Sequence, residues 1–288
     1  MIYEIPELYR STIIKRPSAS CKTPYVGDAF VIKNSLPIEN TMVHCPALGC
    51  CGLCERDSSI LVSPIPIKKG NAGDKQVCSY RSELALLTEN SQTQIIGINP
   101  KLAEIIVNNC LQNNYLHSLQ NLQSFKREVK YLNSRFDFAG TDKDGIEFIL
   151  EVKNVPLADY EDCLDKDKKM MDFSNREYNS KISYFPDGYR KKVKDTVSPR
   201  ALKHIKELQE LVIPNKRRAI MCYVIQRTDI SSFQPSKIDP QYRNAVIEAN
   251  KNGVEIIPLV CKWNYDEVTS KGTCEFVTDQ LNVNLESE

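Results

Sequence analysis

Two β-rich runs around one turn restrict this chain more than any other feature. Arg127 to Ala139 and Ile146 to Val152 are dense in β-branched and aromatic residues, and the link from Thr141 to Gly145 is polar, ending in Asp144-Gly145. That pattern predicts an antiparallel hairpin. Strand side chains alternate between faces, so Glu151 and Lys153 project to one side and Val152 to the other. Asp137, fourteen residues before Glu151, can then stand opposite them on the neighbouring strand.

The hairpin brings two carboxylates and an ammonium to one spot. Paired carboxylates suit a hard divalent cation, Mg²⁺ or Mn²⁺, held through oxygen with positions left for a phosphate oxygen and an attacking water. Lys153 is placed to orient or deprotonate that water, or to stabilise charge on the reacting phosphate, and the Val152 carbonyl is a candidate extra ligand. Solvated strand carboxylates paired with lysines give the same spacing on ordinary sheets, and a Glu-x-Lys alone does not separate the two readings.

Residues on both sides add to the pattern. Val43 to Pro46, Gly49, Cys54, Glu128 to Tyr131, Ser134 to Phe138, Glu151 to Val155, Tyr184 to Asp187, Arg200 with Lys203 to Ile205, Arg218 to Ile220, Ile238 to Tyr242 and Gly253 to Ile256 follow in one order. In these stretches the chain resembles the sugar fermentation stimulation protein (SfsA) family. The resemblance implies an amino-terminal OB-like β-barrel and a carboxy-terminal PD-(D/E)xK nuclease-like α/β domain with a mixed central sheet. It also implies binding of DNA, single- or double-stranded, with little sequence preference.

On that basis Asp137, Glu151 and Lys153 form the predicted catalytic group, with Asp137, Glu151 and Val152 around the metal. Arg135, Arg200, His204 and Asp187 are the predicted phosphate or DNA contacts, supported by Ser134 and Glu128. Glu128 reads equally well as a partner for Arg135 at the strand edge. Glu104 lies on the first helix of the second domain, where many nucleases of this type carry a carboxylate. SfsA relatives do not generally place an acid there, so it stays outside the predicted site. The chain departs from the family at Ala47-Leu48-Gly49, where relatives usually continue Asn-Thr-Gly, and in two polar insertions, Ala158 to Ser183 and Tyr189 to Lys194. The longer one reads as a mobile surface segment, either a lid or inert decoration.

At 288 residues with 41% apolar content the chain is long enough for two domains, expected at 1–92 and 93–288. With 38 basic and 37 acidic side chains it has no global basic field. DNA binding must then rest on local clusters such as Lys191, Lys192 and Lys194 or Lys216, Arg217 and Arg218, each of which also reads as a solvated face. A DNA-binding regulator that keeps the fold without turnover is the competing functional class. An activity on sugars has no residue support. No run approaches the ~18–20 apolar residues of a membrane span and no signal-peptide core is present, which predicts a soluble, intracellular protein, cytoplasmic or nuclear (nucleoid). Eleven cysteines, an odd number, suit a reducing compartment. His44, Cys45, Cys51 and Cys54 could supply four ligands to zinc, but no second distant pair accompanies them and zinc is not expected.

Five short runs, Ser11 to Lys15, Ala29 to Lys33, Thr41 to Cys45, Ile60 to Ile65 and Gln76 to Tyr80, have the spacing of a small barrel. Tyr9, Arg10, Lys15, Arg16 and Tyr25 are its candidate nucleic-acid contacts. Asn99-Pro100 predicts a helix to about Asn113. Ser198-Pro199 opens a helix striped by Leu202, Ile205, Leu208 and Val212 and stopped by Pro214, with Arg200 and His204 on one side of it. Ala219 to Gln226 reads as a buried parallel strand. Asp239-Pro240 begins a helix that Gly253 closes before a strand from Val254 to Val260. The polar tail after Trp263 is expected to be peripheral.

Overall fold

The computed structural model describes residues 1–33, 36–47, 52–66, 77–186, 196–212 and 217–286, without the side chains of Asn40 and Asp165. The chain divides into two units, Met1–Leu102 with Lys262–Glu275, and Ala103–Cys261 with Phe276–Glu288.

The first unit holds β1 (Tyr3–Ile5), β2 (Tyr9–Lys15), β3 (Val26–Lys33), β4 (Leu36–His44), β5 (Ser59–Pro64), β6 (Tyr80–Glu89) and β7 (Gln92–Gly97). Burial alternates along β2, so Tyr9, Ser11 and Ile13 face inward while Arg10 and Thr12 face out, the period-2 signature of a half-buried strand. Strands pair in the order β4-β3-β2-β5-β6, and a parallel pairing of Val43 with Tyr80 and His44 with Arg81 joins β4 back to β6. The result is a closed five-stranded barrel with β7 added on β6, filled by Ile13, Ala29, Val31, Val43, Ile60, Val62 and Ala85 among others.

The fifth barrel strand starts at Tyr80, where the sequence reading ended it. It pairs with β4, β5 and β7 at once, so its residues are buried on both faces and the alternation that marks a strand is weak. Arg16 is not available to a nucleic acid: its nearly buried guanidinium donates to the carbonyls of Pro24 (2.8 Å), Ala47 (2.5 Å) and Cys54 (3.3 Å).

The second unit begins in α1 (Pro100–Gln112), capped by Asn99, whose Oδ1 accepts from the Lys101 amide at 3.1 Å. Next come β8 (Ser124–Tyr131), β9 (Ser134–Thr141), β10 (Glu147–Val155), β11 (Ala158–Asp159), α2 (Asp165–Lys168) and β12 (Lys181–Phe185). They are followed by α3 (Pro199–Val212), β13 (Arg218–Ile225), β14 (Ile230–Pro235), α4 (Pro240–Lys251), β15 (Glu255–Asp266) and β16 (Lys271–Thr278). The β8-β9-β10 meander is antiparallel, and β13 then adds parallel to β10 and β15 parallel to β13. A small second sheet runs β11-β12-β14. The run from Arg127 to Ala139 is thus two strands rather than one, broken at Leu132 with φ 49°.

Ile149 and Val155 of β10 and Ala219, Met221, Tyr223 and Ile225 of β13 pack under α3 and α4 in one apolar cluster. Strand β13 is buried from Ala219 to Ile225, as befits a strand with parallel neighbours on both edges.

Two further expectations change. The segment after Trp263 is built into the fold: β15 continues to Asp266, β16 pairs antiparallel with β1, and Leu281, Val283 and Leu285 pack on the α/β core. Burial alternates from Lys271 to Cys274, a short period-2 pattern that polar composition conceals. The stretch after Leu157 is anchored near its start, while Lys169 to Glu177 stays largely on the surface. Asp162, 5% exposed, accepts from Gln234 Nε2 (2.7 Å), Ser236 Oγ (2.8 Å) and the Lys237 amide (2.7 Å). Among the described residues no helix is long and apolar enough to cross a membrane.

Candidate active site

The site forms where two strands part. The β9–β10 ladder ends at Leu150 paired with Phe138. One residue further the Asp137 carboxylate takes over, with Oδ2 accepting from the Val152 amide at 2.7 Å. On the other edge of β9, opposite Asp137, Glu128 of β8 has φ 54°, a left-handed backbone that Gly, Asn and Asp adopt more readily. The β8–β9 pairs on either side skip Glu128 and Asp137.

Glu151 lies on β10, 3% exposed, with Oε1 bonded both to Lys153 Nζ and to Nδ1 of His204, which α3 brings in from above. Lys153 Nζ is 3.5 Å from the same imidazole nitrogen and 3.4 Å from the Val152 carbonyl. Phe136 stacks obliquely on the His204 ring at 5.7 Å. Among the described residues Glu151 Oε2 is buried with no hydrogen-bond partner, as is Ser134 Oγ at the start of β9.

The two carboxylates carry opposite biases. Burial pushes Asp137 up, the Glu151 charge pushes it further, and together they outweigh the Val152 amide and Lys153, lifting it to about 7. Burial raises Glu151 as well, but Lys153 and His204 more than compensate and hold it below its ordinary value. Glu104 on α1 adds to the field that raises Asp137, so the carboxylate set aside on sequence grounds is electrostatically part of the site. Its signal in the sequence was its helix position alone. Its own partner is Arg127 Nη2 at 3.2 Å.

The remaining predicted residues spread out. Glu128 points away and pairs with Arg135 at 3.1 Å, both exposed. Arg200 is exposed in the first turn of α3 and makes no hydrogen bond or ion pair among the described residues. Asp187 lies outside the described residues, as do Lys191, Lys192, Lys194 and Lys216. Arg217 bonds Glu147 (2.6 Å), and Arg218 grips Glu255 with two nitrogens (2.7 and 2.8 Å) and Asp142 with a third (3.0 Å). Those two arginines serve the fold. Among the described residues no group of three or more His, Cys, Asp and Glu side chains gathers as a metal cluster.

A closed OB-like barrel, then a mixed α/β unit in which an antiparallel meander meets parallel strands at an Asp and a Glu-x-Lys, is the architecture of a protein with a PD-(D/E)xK nuclease-like fold. The profile described as Sugar fermentation stimulation protein RE domain matches residues 101–165 and 174–267, and the chain belongs to the SfsA family. A sugar fermentation stimulation protein homolog of Shewanella halifaxensis is 30% identical, the match covering 76% of this chain and 79% of the relative. A homolog from Clostridium novyi is 25% identical over 95% of this chain and 99% of its own. The solved structure of Pyrococcus furiosus SfsA superposes with a TM-score of 0.68 at 20% identity, covering 98% of both chains.

Proposed function

We propose that this protein binds DNA and hydrolyses its phosphodiester bonds with a divalent cation, Mg²⁺ or Mn²⁺. The observation that carries the reading is Glu151 Oε2, a buried carboxylate oxygen with no hydrogen-bond partner among the described residues, beside an Asp137 whose pKa is lifted to about 7. An orphaned carboxylate oxygen inside a protein is costly. A cation shared by Asp137 and Glu151 would satisfy it and relieve the repulsion between the pair, and an all-oxygen donor set with the Val152 carbonyl suits a hard ion that uses only one or two carboxylates. The Pyrococcus furiosus relative was solved in complex with Ca²⁺, another hard oxygen-seeking cation.

When bound, the cation supplies polarisation of the phosphate and a more acidic water. Lys153 Nζ then lies beside the reacting centre as a charge for the phosphate or a handle for the water. His204 keeps Glu151 oriented through Oε1, a supporting role in place of the direct phosphate contact expected of it. Arg200, exposed on the same helix, is left to meet the phosphate backbone. The barrel, 1–92 in this reading, contributes DNA contacts, and 93–288 contributes the chemistry.

Purified protein incubated with single- and double-stranded DNA and Mg²⁺ or Mn²⁺ is expected to cut, with Asp137→Ala and Lys153→Ala reduced by roughly 10²-fold or more. Binding without cleavage by the wild type, with both variants binding equally well, would overturn the enzyme reading. The second reading, a DNA-binding regulator without turnover, draws on Glu151 Oε1 being closed by Lys153 and His204. The same assay decides between them.

A further inference from the structure

Cys45 and Cys54 are both fully buried in the barrel unit, and their sulfurs lie 3.5 Å apart, with Cys54 Sγ aimed at Cys45 Sγ and Cys45 Sγ in turn at the Val43 carbonyl (3.7 Å). Cys45 directly follows β4, its amide donating to the Tyr25 carbonyl at 2.8 Å, and Cys54 sits in the turn before β5. The guanidinium of Arg16 holds the connection between them near both ends, through the carbonyls of Ala47 (2.5 Å) and Cys54 (3.3 Å). On the other side Gly27 leaves room: a Cβ there would come to 3.7 Å from Cys45 Sγ.

We infer that Cys45 and Cys54 are an oxidative modification site, a dithiol that closes to a disulfide on reaction with a hydroperoxide. The sulfurs need approach by only about 1.5 Å to reach bonding distance. In the balanced step one thiolate attacks the distal peroxide oxygen, giving a sulfenic acid and an alcohol. The second thiol displaces hydroxyl from that sulfur as water, so two thiols and one hydroperoxide yield the disulfide, the alcohol and one water. Two electrons pass from the sulfurs to the O–O bond. Burial sets the rate, because the peroxide reaches neither sulfur until the turn carrying Cys54 opens. The bond closes a ten-residue loop, and a covalent tie across that loop stiffens the barrel. Among the described residues Cys78 is the rival, since it interacts electrostatically with Cys21 and Cys45, and a link from it is read in the same peptide map.

The full-length native protein is exposed to hydrogen peroxide, trapped with N-ethylmaleimide, digested without reductant and mapped by mass spectrometry. The expected result is a Cys45–Cys54 cross-linked peptide, two hydrogens lighter than its parts. It should be released by dithiothreitol, absent from Cys54→Ser, and accompanied by a rise in melting temperature that reduction reverses. Cys21, partly exposed, reports that oxidant was sufficient. Oxidation of Cys21 with no Cys45–Cys54 link, or a dominant link from either residue to Cys50, Cys51 or Cys78, overturns the inference. Because the map is made on the wild type, the result stands even where a cysteine variant folds poorly.

Discussion

A carboxylate sealed from water takes its behaviour from the charges sealed in with it, and this chain holds two contrasting cases. Asp137 is buried beside another acid and is pushed up, whereas Asp229 is buried between two cations. Arg227 donates to both Asp229 oxygens (2.7 and 2.6 Å) and Lys181 Nζ adds a third bond at 2.7 Å. Burial raises Asp229, but these partners prevail and hold it below its ordinary value. Its stabilising contribution is therefore complete above an unfolded pKa of about 3.9 and fades as pH falls through the lower folded value. Asp229→Ala takes the carboxylate from Arg227 and Lys181, which are 1% and 2% exposed, and should cost about 3–5 kcal/mol in urea unfolding at neutral pH. Between pH 4 and lower values the wild type should lose stability more steeply than this variant. Parallel curves would show that the triad contributes nothing to acid sensitivity.

At the scale of elements, the position of the site depends on caps and close approaches as much as on strands. Asp239, 1% exposed, caps α4 through the Tyr242 amide (3.1 Å). Its other oxygen takes Thr196 Oγ1 and the Val197 amide, both at 2.7 Å, and so fixes the residues that lead into α3 and His204. Asp239→Ala should cost about 3 kcal/mol, summing a lost cap and charged hydrogen bonds, and should also lower cleavage by loosening His204 on Glu151. Gly140 makes a second test. A Cβ there would fall 2.1 Å from the Ser124 carbonyl oxygen and 2.8 Å from Phe125 Cα, so Gly140→Ala should cost at least about 2 kcal/mol by forcing β8 from β9. A urea midpoint unchanged from wild type would refute it.

Much of this was legible in the sequence where a local signal existed: Asn99-Pro100, Ser198-Pro199 and Asp239-Pro240 each open a helix where expected. Asp137, Glu151 and Lys153 do converge, because period-2 alternation is local too. The role of His204 as a clamp on Glu151 was not legible, since it depends on where α3 crosses the sheet. Nor was the break at Leu132, which hides inside one β-rich run, or the pairing of β16 with β1 across most of the chain's length.

For the molecule as a whole, near-neutral charge limits how DNA can be held. With 38 basic against 37 acidic residues there is no cationic excess to attract DNA at long range, and Arg16, Arg217 and Arg218 are committed to internal bonds, so the proposed DNA contact rests on a small local set. The logarithm of the binding constant should fall with the logarithm of salt at a slope of about −3 to −4, measured by fluorescence anisotropy, where a fully basic face gives a far steeper one. The proposed cation should leave a global signature with two opposed signs. Ionised Asp137 destabilises the cation-free fold, because its raised pKa means that stability falls as pH climbs from about 3.9 to about 7. Asp137→Asn keeps an oxygen for the Val152 amide and removes the repulsion, so at pH 8 without divalent ions it should melt at or above the wild type. Adding Mn²⁺ should reverse the order. At a hundredfold excess over the dissociation constant a bound ion contributes about 2.7 kcal/mol, several degrees for a protein of this size, and the variant should gain little of it. Equal Mn²⁺ shifts in both proteins would place the ion away from Asp137 and remove the basis for assigning hydrolysis to this site.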